Sequence, residues 1–425
     1  MKPRRDQERH ESHESSATSP VREFLAGVPV AVDPLRIERE LAALWKPASE
    51  AEGGEGAVVR ACLSNLVVHV SGADELCHVA SLLEEISRHH PNRTLLLSVD
   101  PRGSAPRVEE NAAGVEHGGR LRASVTALCH SPAPGVAPVC SEQIRLLASS
   151  DDADLLAGAV APLLVPDLPV YLWWTGERLT APPGHLARLA EALVVDSRRC
   201  RDGIAALSAV HGLVEGCGAA DVIDLSWRSL ERWRRTVAEV FEEPALRAVL
   251  SRLQCIELEV EVTTNNRKDG AEALRTPGTL LAGWALSRLG WRTEKGERTR
   301  TGWSAECRAP DGAATRVSLR AREAGEASRA TGRSAAPGAP VALRLATEVA
   351  GDNGSGPSLS LTVDPSAPDS LEIAFETAAS CGLPRHVPFP HSGDAELLAG
   401  VLDGPQQTGV FREALAAACE LVGVA

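Results

Sequence analysis

At 425 residues the chain has room for two domains, and its 44% hydrophobic content can fill a substantial core although only 3% is aromatic. A formal net charge of −13, with no block of Lys and Arg, excludes the concentrated basic patch that a nucleic acid or an anionic membrane would require. No run of about 18 apolar residues occurs, which excludes a membrane-spanning helix.

The N-terminal stretch MKPRRDQERHESHESSATSP carries charge but no apolar segment of a secretory signal, and residues 1–22 read as a disordered tail. That points to a cytoplasmic protein, in which the ten cysteines (Cys62, Cys77, Cys129, Cys140, Cys200, Cys217, Cys255, Cys307, Cys381 and Cys419) are expected to be free thiols. No CxxC occurs, so neither a zinc knuckle nor a dithiol redox motif is indicated. Asp33 as N-cap and Pro34 behind it predict a helix through Ile37, Leu41, Leu44 and Trp45, stopped by Pro47. A Glu/Gly linker at 50–56 follows.

Strand and helix then alternate. Strands are predicted at 58–70 (VVRACLSNLVVHV), 94–100 (TLLLSVD), 119–129, 169–174 (PVYLWW), 192–196 (ALVVD) and 222–225 (VIDL). Helices fall between them at 74–90, 151–161, 182–191 and 203–214. SLERWRRTVAEVF (229–241) is amphipathic, with Leu230, Trp233, Val237, Val240 and Phe241 on one face and a solvated face carrying Arg232, Arg234 and Arg235. This order implies an α/β class with an N-terminal open, largely parallel sheet and flanking helices.

The last third changes character. IELEVEV (256–262) alternates strictly, a helix at 279–291 is closed by Gly290, and five short strands with turn signals between them predict an antiparallel sheet, making this an α/β or α+β unit. Helices at 394–402 and 409–420 are expected to flank that sheet. The division expected is a tail at 1–22, an N-terminal α/β domain at 23–165 and a C-terminal domain at 166–425, with low-complexity insertions at about 323–340 and 351–357.

No P-loop, HExxH, GxSxG or kinase-like set is present, so no catalytic or cofactor-binding residue is assigned. Gly216-Cys217-Gly218-Ala219-Ala220-Asp221 follows a helix rather than a strand and reads as a helix end. Asp100, Asp196 and Asp224 sit at carboxyl ends of predicted strands, where they either cap the next turn or hold a divalent cation. Cys129, His130 and Cys140 fit no metal-ligand spacing, and His89 with His90 suits a helix C-terminus.

PLLVPDLPVYLWW (162–174) resembles the hallmark segment of the OpcA family, in which a Pro-Asp-Leu-Pro turn leads into a strand ending in two tryptophans. IERELAALW (37–45), RACLSNLVV (60–68), HPNRTLLL (90–97), CSEQI (140–144), LVVDSR (193–198), DLSWRSLERWR (224–234) and LLAGWALSRLGW (280–291) resemble further family pieces in the family's order. The resemblance implies a non-catalytic protein that helps glucose-6-phosphate dehydrogenase reach its active oligomer and so feeds the oxidative pentose phosphate pathway and its NADPH supply. It also implies a link to thioredoxin in photosynthetic members, but no cysteine here matches a motif for it. The candidate partner contacts are Asp167, Trp173, Trp174, Trp227 and Trp233; each tryptophan is either core or an interface anchor, and Asp167 is either a rigid turn residue or an acidic contact. The alternative, from another class, is a metal-dependent α/β enzyme acting on a sugar phosphate through Asp100, Asp196 and Asp224.

Overall fold

The structure, a computed structural model, describes residues 19–50, 58–70, 72–100, 121–149, 153–176, 178–216, 221–262, 274–323, 338–347, 357–364, 366–377, 380–381, 383–404 and 408–424. The tail through residue 18, nearly all of the 50–56 linker, most of both expected insertions, and residues 217–220 of the glycine turn lie outside them.

The first part of the chain reads α1 (Pro20–Leu25), β1 (Val30–Val32), α2 (Ile37–Glu50), β2 (Val59–Arg60), β3 (Asn65–Val70), α3 (Ala73–Ser87), β4 (Arg93–Asp100), β5 (Leu121–His130), β6 (Val139–Ser149), α4 (Ala153–Val160), β7 (Val170–Trp174), α5 (Gly184–Ala187), β8 (Ala192–Val195), α6 (Gly203–Gly216) and β9 (Asp221–Asp224). These strands form one sheet in the order β1-β5-β6-β4-β3-β7-β8-β9, with β2 beside β6. From β6 to β9 every pairing is parallel; β5 and β1 extend the sheet in antiparallel fashion. Strand order runs outward from β3 to β6 and then restarts on the other side at β7, so a topological switch point lies between β3 and β7. The division drawn at 165/166 falls inside this sheet, since β7 pairs directly with β3.

The remainder reads α7 (Leu225–Ser229), α8 (Glu231–Val240), α9 (Pro244–Leu250), β10 (Cys255–Val262), α10 (Thr276–Leu289), β11 (Arg292–Thr299), β12 (Gly302–Arg308), β13 (Ala314–Glu323), β14 (Pro340–Ala346), β15 (Ser358–Asp364), β16 (Ala367–Thr377), β17 (Ser380–Cys381) and β18 (Arg385–Pro388), then the helices Asp394–Leu402 and Thr408–Val422. Its sheet has the order β11-β12-β13-β10-β14-β15-β16-β17, with β18 on β16, and only the β10–β13 pairing is parallel. The fold class is therefore mixed α/β, with one largely parallel sheet and one mostly antiparallel sheet.

Ile256, Leu258 and Val260 of β10 face α10 in the shared core, and the approach is close: a Cβ on Gly278 of α10 would stand 2.3 Å from a Val260 methyl. Gly283 lets α10 meet the C-terminal helix, because a Cβ there would lie 2.3 Å from the Ala414 carbonyl. Gly290 ends α10 at φ 68°, the left-handed cap expected of it. The helix Asp394–Leu402 returns to the first sheet, burying Ala395, Leu398 and Val401 with Val79, Leu83 and Ile86 of α3.

Several local expectations are corrected. α2 begins at Ile37, because Asp33 accepts the Leu35 amide in a turn before it, and continues a turn beyond Pro47. Residues 58–70 form two strands with a break at 61–64. The helix expected at 182–191 is only Gly184–Ala187, and α1, α9, β1, β6, β11, β17 and β18 were not foreseen.

Candidate functional site

At the amino end of the first sheet, Asn65 is fully buried at the start of β3 and holds the turn that leads into β7. Its Nδ2 donates to the carbonyls of Val165 (3.0 Å) and Leu168 (3.3 Å), and its Oδ1 accepts from the Val165 amide at 2.8 Å. Pro166 suits the second position of this turn, and a turn of the type II kind takes a positive φ at the third. That third residue is exposed Asp167, at φ 63° the one non-glycine residue in the left-handed region among the described residues. An Asp where Gly would be relaxed stores strain on the surface.

Beside this turn lies a buried ion-pair network. Glu142 of β6 accepts from Trp45 Nε1 (2.6 Å), Arg60 Nε (2.5 Å) and Arg93 Nε (2.9 Å), while Arg93 also reaches Glu38 (2.5 Å) and the Leu163 carbonyl (2.9 Å). Burial would lower the Arg93 pKa, but Glu142 and Glu38 more than offset it and hold the guanidinium above its ordinary value. Arg60 also lies over the Trp45 ring, 5.7 Å from its centroid. Exposed Val59, Leu63 and Val136 surround this end, at the amino ends of β2, β3 and β6. Segments from 37–45, 60–68, 90–97, 140–144 and 162–174 thus converge here, although nothing in their spacing announces a common site.

The four candidate tryptophans are core side chains. Trp173 and Trp174 point to opposite faces of β7, at 3% and 8% exposure, and pack in different hydrophobic clusters. Trp174 stacks on His69 at 3.9 Å, and burial lowers the His69 pKa against the opposing pull of Glu75. Trp233 packs against Phe389. Trp227 lies beneath Arg234, whose guanidinium carbon is 3.5 Å from the ring centroid. Arg234 is therefore half-buried rather than solvated, and burial pushes its pKa down to about 10; Arg232 and Arg235 are exposed.

At the carboxyl end, the switch point between β3 and β7 is filled by the His69–Trp174 stack and by Thr175, whose Oγ1 donates to the His69 carbonyl at 2.6 Å. Asp196 accepts the Arg198 amide at 3.2 Å and pairs with that residue's guanidinium at 2.7 Å; Arg198 also reaches Asp394 at 2.8 Å. Asp224 is wholly buried and accepts from the amides of Ser197 and Ser226 and from the Ser197 hydroxyl. Both carboxylates thus serve turns and an arginine; the Asp100 side chain lies outside the described residues. No cluster of three or more His, Cys, Asp and Glu suited to a metal occurs among the described residues.

The expectation of ten free thiols is corrected. Cys129 and Cys140 are directly opposite across β5 and β6 and form a disulfide, the antiparallel register supplying the proximity that eleven residues of sequence separation conceals. Cys62, Cys77, Cys200, Cys255, Cys307 and Cys419 are free. A groove of about 650 Å³ lies between α8, β18 and the helix Asp394–Leu402, with Arg232, Arg235 and Arg385 interspersed among Glu231, Glu239 and Glu396. Its charges alternate in sign, so it selects neither an anion nor a cation.

A family model described as the glucose-6-phosphate dehydrogenase subunit N-terminal domain matches residues 83–212, and one described as the C-terminal domain of the same subunit matches residues 220–415. The chain belongs to the OpcA family. The family's two units meet between residues 212 and 220, just before β9 completes the first sheet.

Similar proteins include one from Nostoc punctiforme named as the OxPP cycle protein OpcA, 29% identical over 159 residues, which are 36% of this chain and 31% of that protein. Its counterpart of the same name in Synechocystis sp. is 30% identical over 156 residues, 36% of this chain and 30% of that protein. The matched region thus spans about a third of each OpcA relative's own length. Among solved structures, an aldose-aldose oxidoreductase from Caulobacter crescentus has a TM-score of 0.43 at 10% identity, covering 85% of this chain and 97% of that one. The 3-ketoreductase KijD10 from Actinomadura kijaniata has 0.42 at 11%, covering 84% and 96%. Likenesses this distant carry no argument about chemistry for a member of the OpcA family. No helix among the described residues is long and apolar enough to cross a membrane.

Proposed function

We propose that this protein is a non-catalytic assembly factor and allosteric activator of glucose-6-phosphate dehydrogenase, promoting that enzyme's active oligomer in the oxidative pentose phosphate pathway. The observation that carries the reading is the ordered match, over residues 83–415, to both domains of a family described as a glucose-6-phosphate dehydrogenase subunit. The site chemistry is compatible with it. Asp196 and Asp224, on which a metal-dependent sugar-phosphate enzyme would rely, are engaged by backbone amides and Arg198.

The contact surface we propose is the amino end of the first sheet. There the turn presents the exposed Asp167, and exposed Val59, Leu63 and Val136 offer apolar area at the same end of the sheet. Asn65 clamps the backbone of this turn through Val165 and Leu168, so little backbone entropy is lost on docking, and the Asp167 carboxylate suits a basic contact on the dehydrogenase.

Size exclusion of the purified protein with the dehydrogenase of the same organism tests this reading. Co-elution is expected, and Asp167→Arg should weaken it at least ~10-fold with little change in melting temperature, since an exposed site is altered. Separate elution of the wild-type pair would refute the partnership; unchanged affinity in Asp167→Arg would refute the proposed surface alone.

A further inference from the structure

The helices packed on the second sheet lie on the face of Ile256, Leu258 and Val260, and the opposite face of its central strands carries a different population. On β10 it presents Glu257 and Glu259, with Glu261 on the same side but buried; on adjacent β13 it carries Arg316, Ser318, Arg320 and Arg322. Beyond β10 the face carries Ala342, Arg344 and Ala346 on β14 and Ser358, Ser360 and Thr362 on β15, with Glu372, Ala374 and Glu376 on β16. Strand alternation fixes these assignments, because the inward residues between them are Val317 and Leu319 on β13 and Leu343 and Leu345 on β14.

The charges form two parallel rows. In the parallel register Glu259 stands beside Arg320 and Glu261 beside Arg322. Within the chain, Arg322 reaches Glu259 at 3.4 Å and Arg344 reaches Glu257 at 3.1 Å. Ser318 on this face is 8% exposed, and its buried hydroxyl has no hydrogen-bond partner.

We infer that this face is a two-fold interface with a second copy of the chain. A two-fold axis lying in the plane of the face and running along the strands between β10 and β13 exchanges the two rows. Glu259 then lies over Arg320 of the other copy, once on each side of the axis. An in-plane axis perpendicular to the strands would stack Glu row on Glu row and Arg row on Arg row, so charge selects the first arrangement. Ala342 and Ala346 on β14 with Ser358 and Ser360 on β15 let the two sheets approach, as face-to-face sheet packing requires. At about 4.8 Å per strand and about 3.4 Å per residue, six strands of about seven residues offer roughly 700 Å² each, near the roughly 800 Å² per partner of a stable interface. The inference is independent of the dehydrogenase partnership, because its readout is the mass of this protein alone.

Light scattering after size exclusion, on the full chain at about 20 µM, should give twice the chain mass. Glu259→Arg sets Arg against Arg twice in the pair, and Arg320→Glu sets Glu against Glu twice; each variant alone should weaken self-association about 100-fold or more, because facing like charges cost several kcal/mol. An equimolar mixture of the two variants should regain the doubled mass, since every facing pair is then of opposite sign. Rescue between different chains cannot arise from refolding of either one, and an unchanged melting temperature confirms that each variant is folded. A monomeric wild type, an undiminished dimer in both single variants, or a mixture that stays monomeric would each overturn the inference. A wild type that is monomeric but loses dehydrogenase binding on Glu259→Arg would assign the face to that partner instead.

Discussion

Asp224 has no exposed surface, and burial raises its pKa from 3.8 to about 6 although Ser197 and Ser226 donate to it. The folded protein therefore holds this proton more firmly than the unfolded chain between those two values. The stability it contributes is fully present below about pH 4 and is lost as pH rises through about 6. Asp224→Asn keeps an acceptor for both amides but cannot ionise. Urea titrations at about pH 4 and about pH 7 should show the variant gaining on the wild type at the higher pH; a difference independent of pH would contradict the assignment. The tryptophans give a second test at this scale. Trp174→Ala removes a buried ring stacked on His69 and should cost about 3–5 kcal/mol, read as a fall in melting temperature. A loss of partner affinity with unchanged melting would instead make Trp174 an interface anchor. At Asp167, replacement by Gly should leave stability within about 1 kcal/mol, because relief of the left-handed strain offsets the added chain entropy. Asp167→Val should cost about 1–3 kcal/mol, since a β-branched residue tolerates φ 63° poorly.

Among the elements, β4, β7, β8 and β10 were legible because their apolar runs or strict alternation have no other good reading. β6 was not. Its sequence VCSEQIRLLAS places Glu142, Gln143 and Arg145 in a strand, and Glu142 tolerates burial only because Arg93, Arg60 and Trp45 converge on it from three other segments. β11, RTEKGERT, is an edge strand whose charges suit an unpaired margin and look like loop in the sequence. The amino-end site shared that limit: PDLP announced a turn, but neither Asn65 as its clamp nor the positive φ at Asp167 could be read without the fold. The hairpin β5–β6 carries its own prediction. Closing a loop of about a dozen residues by the Cys129–Cys140 bond should add about 3 kcal/mol in the chain-entropy account. Thiol counting after denaturation without reductant should find eight, and reduction should lower the melting temperature; ten thiols in unreduced protein would contradict the bond.

Across the whole molecule, one continuous hydrophobic cluster joins the inner faces of both sheets, while the helix Asp394–Leu402 crosses back to close the other face of the first. An activator of the kind proposed acts by choosing between two states of its partner. Such a protein shifts its partner only by its differential affinity for those states. A preference of about 100-fold corresponds to about 2.7 kcal/mol, within the usual 1–3 kcal/mol of allosteric coupling. Glucose 6-phosphate, if it favours the same active state, should tighten the complex by the factor by which the protein tightens glucose 6-phosphate binding.

The most direct measurement is NADPH formation by the cognate glucose-6-phosphate dehydrogenase, followed across substrate concentrations as this protein is titrated in. A saturable rise in rate is expected, largest at low glucose 6-phosphate, with no NADPH formed by the protein on its own. A rate unaffected at saturating amounts of the protein, or NADPH formed without the dehydrogenase, would contradict it.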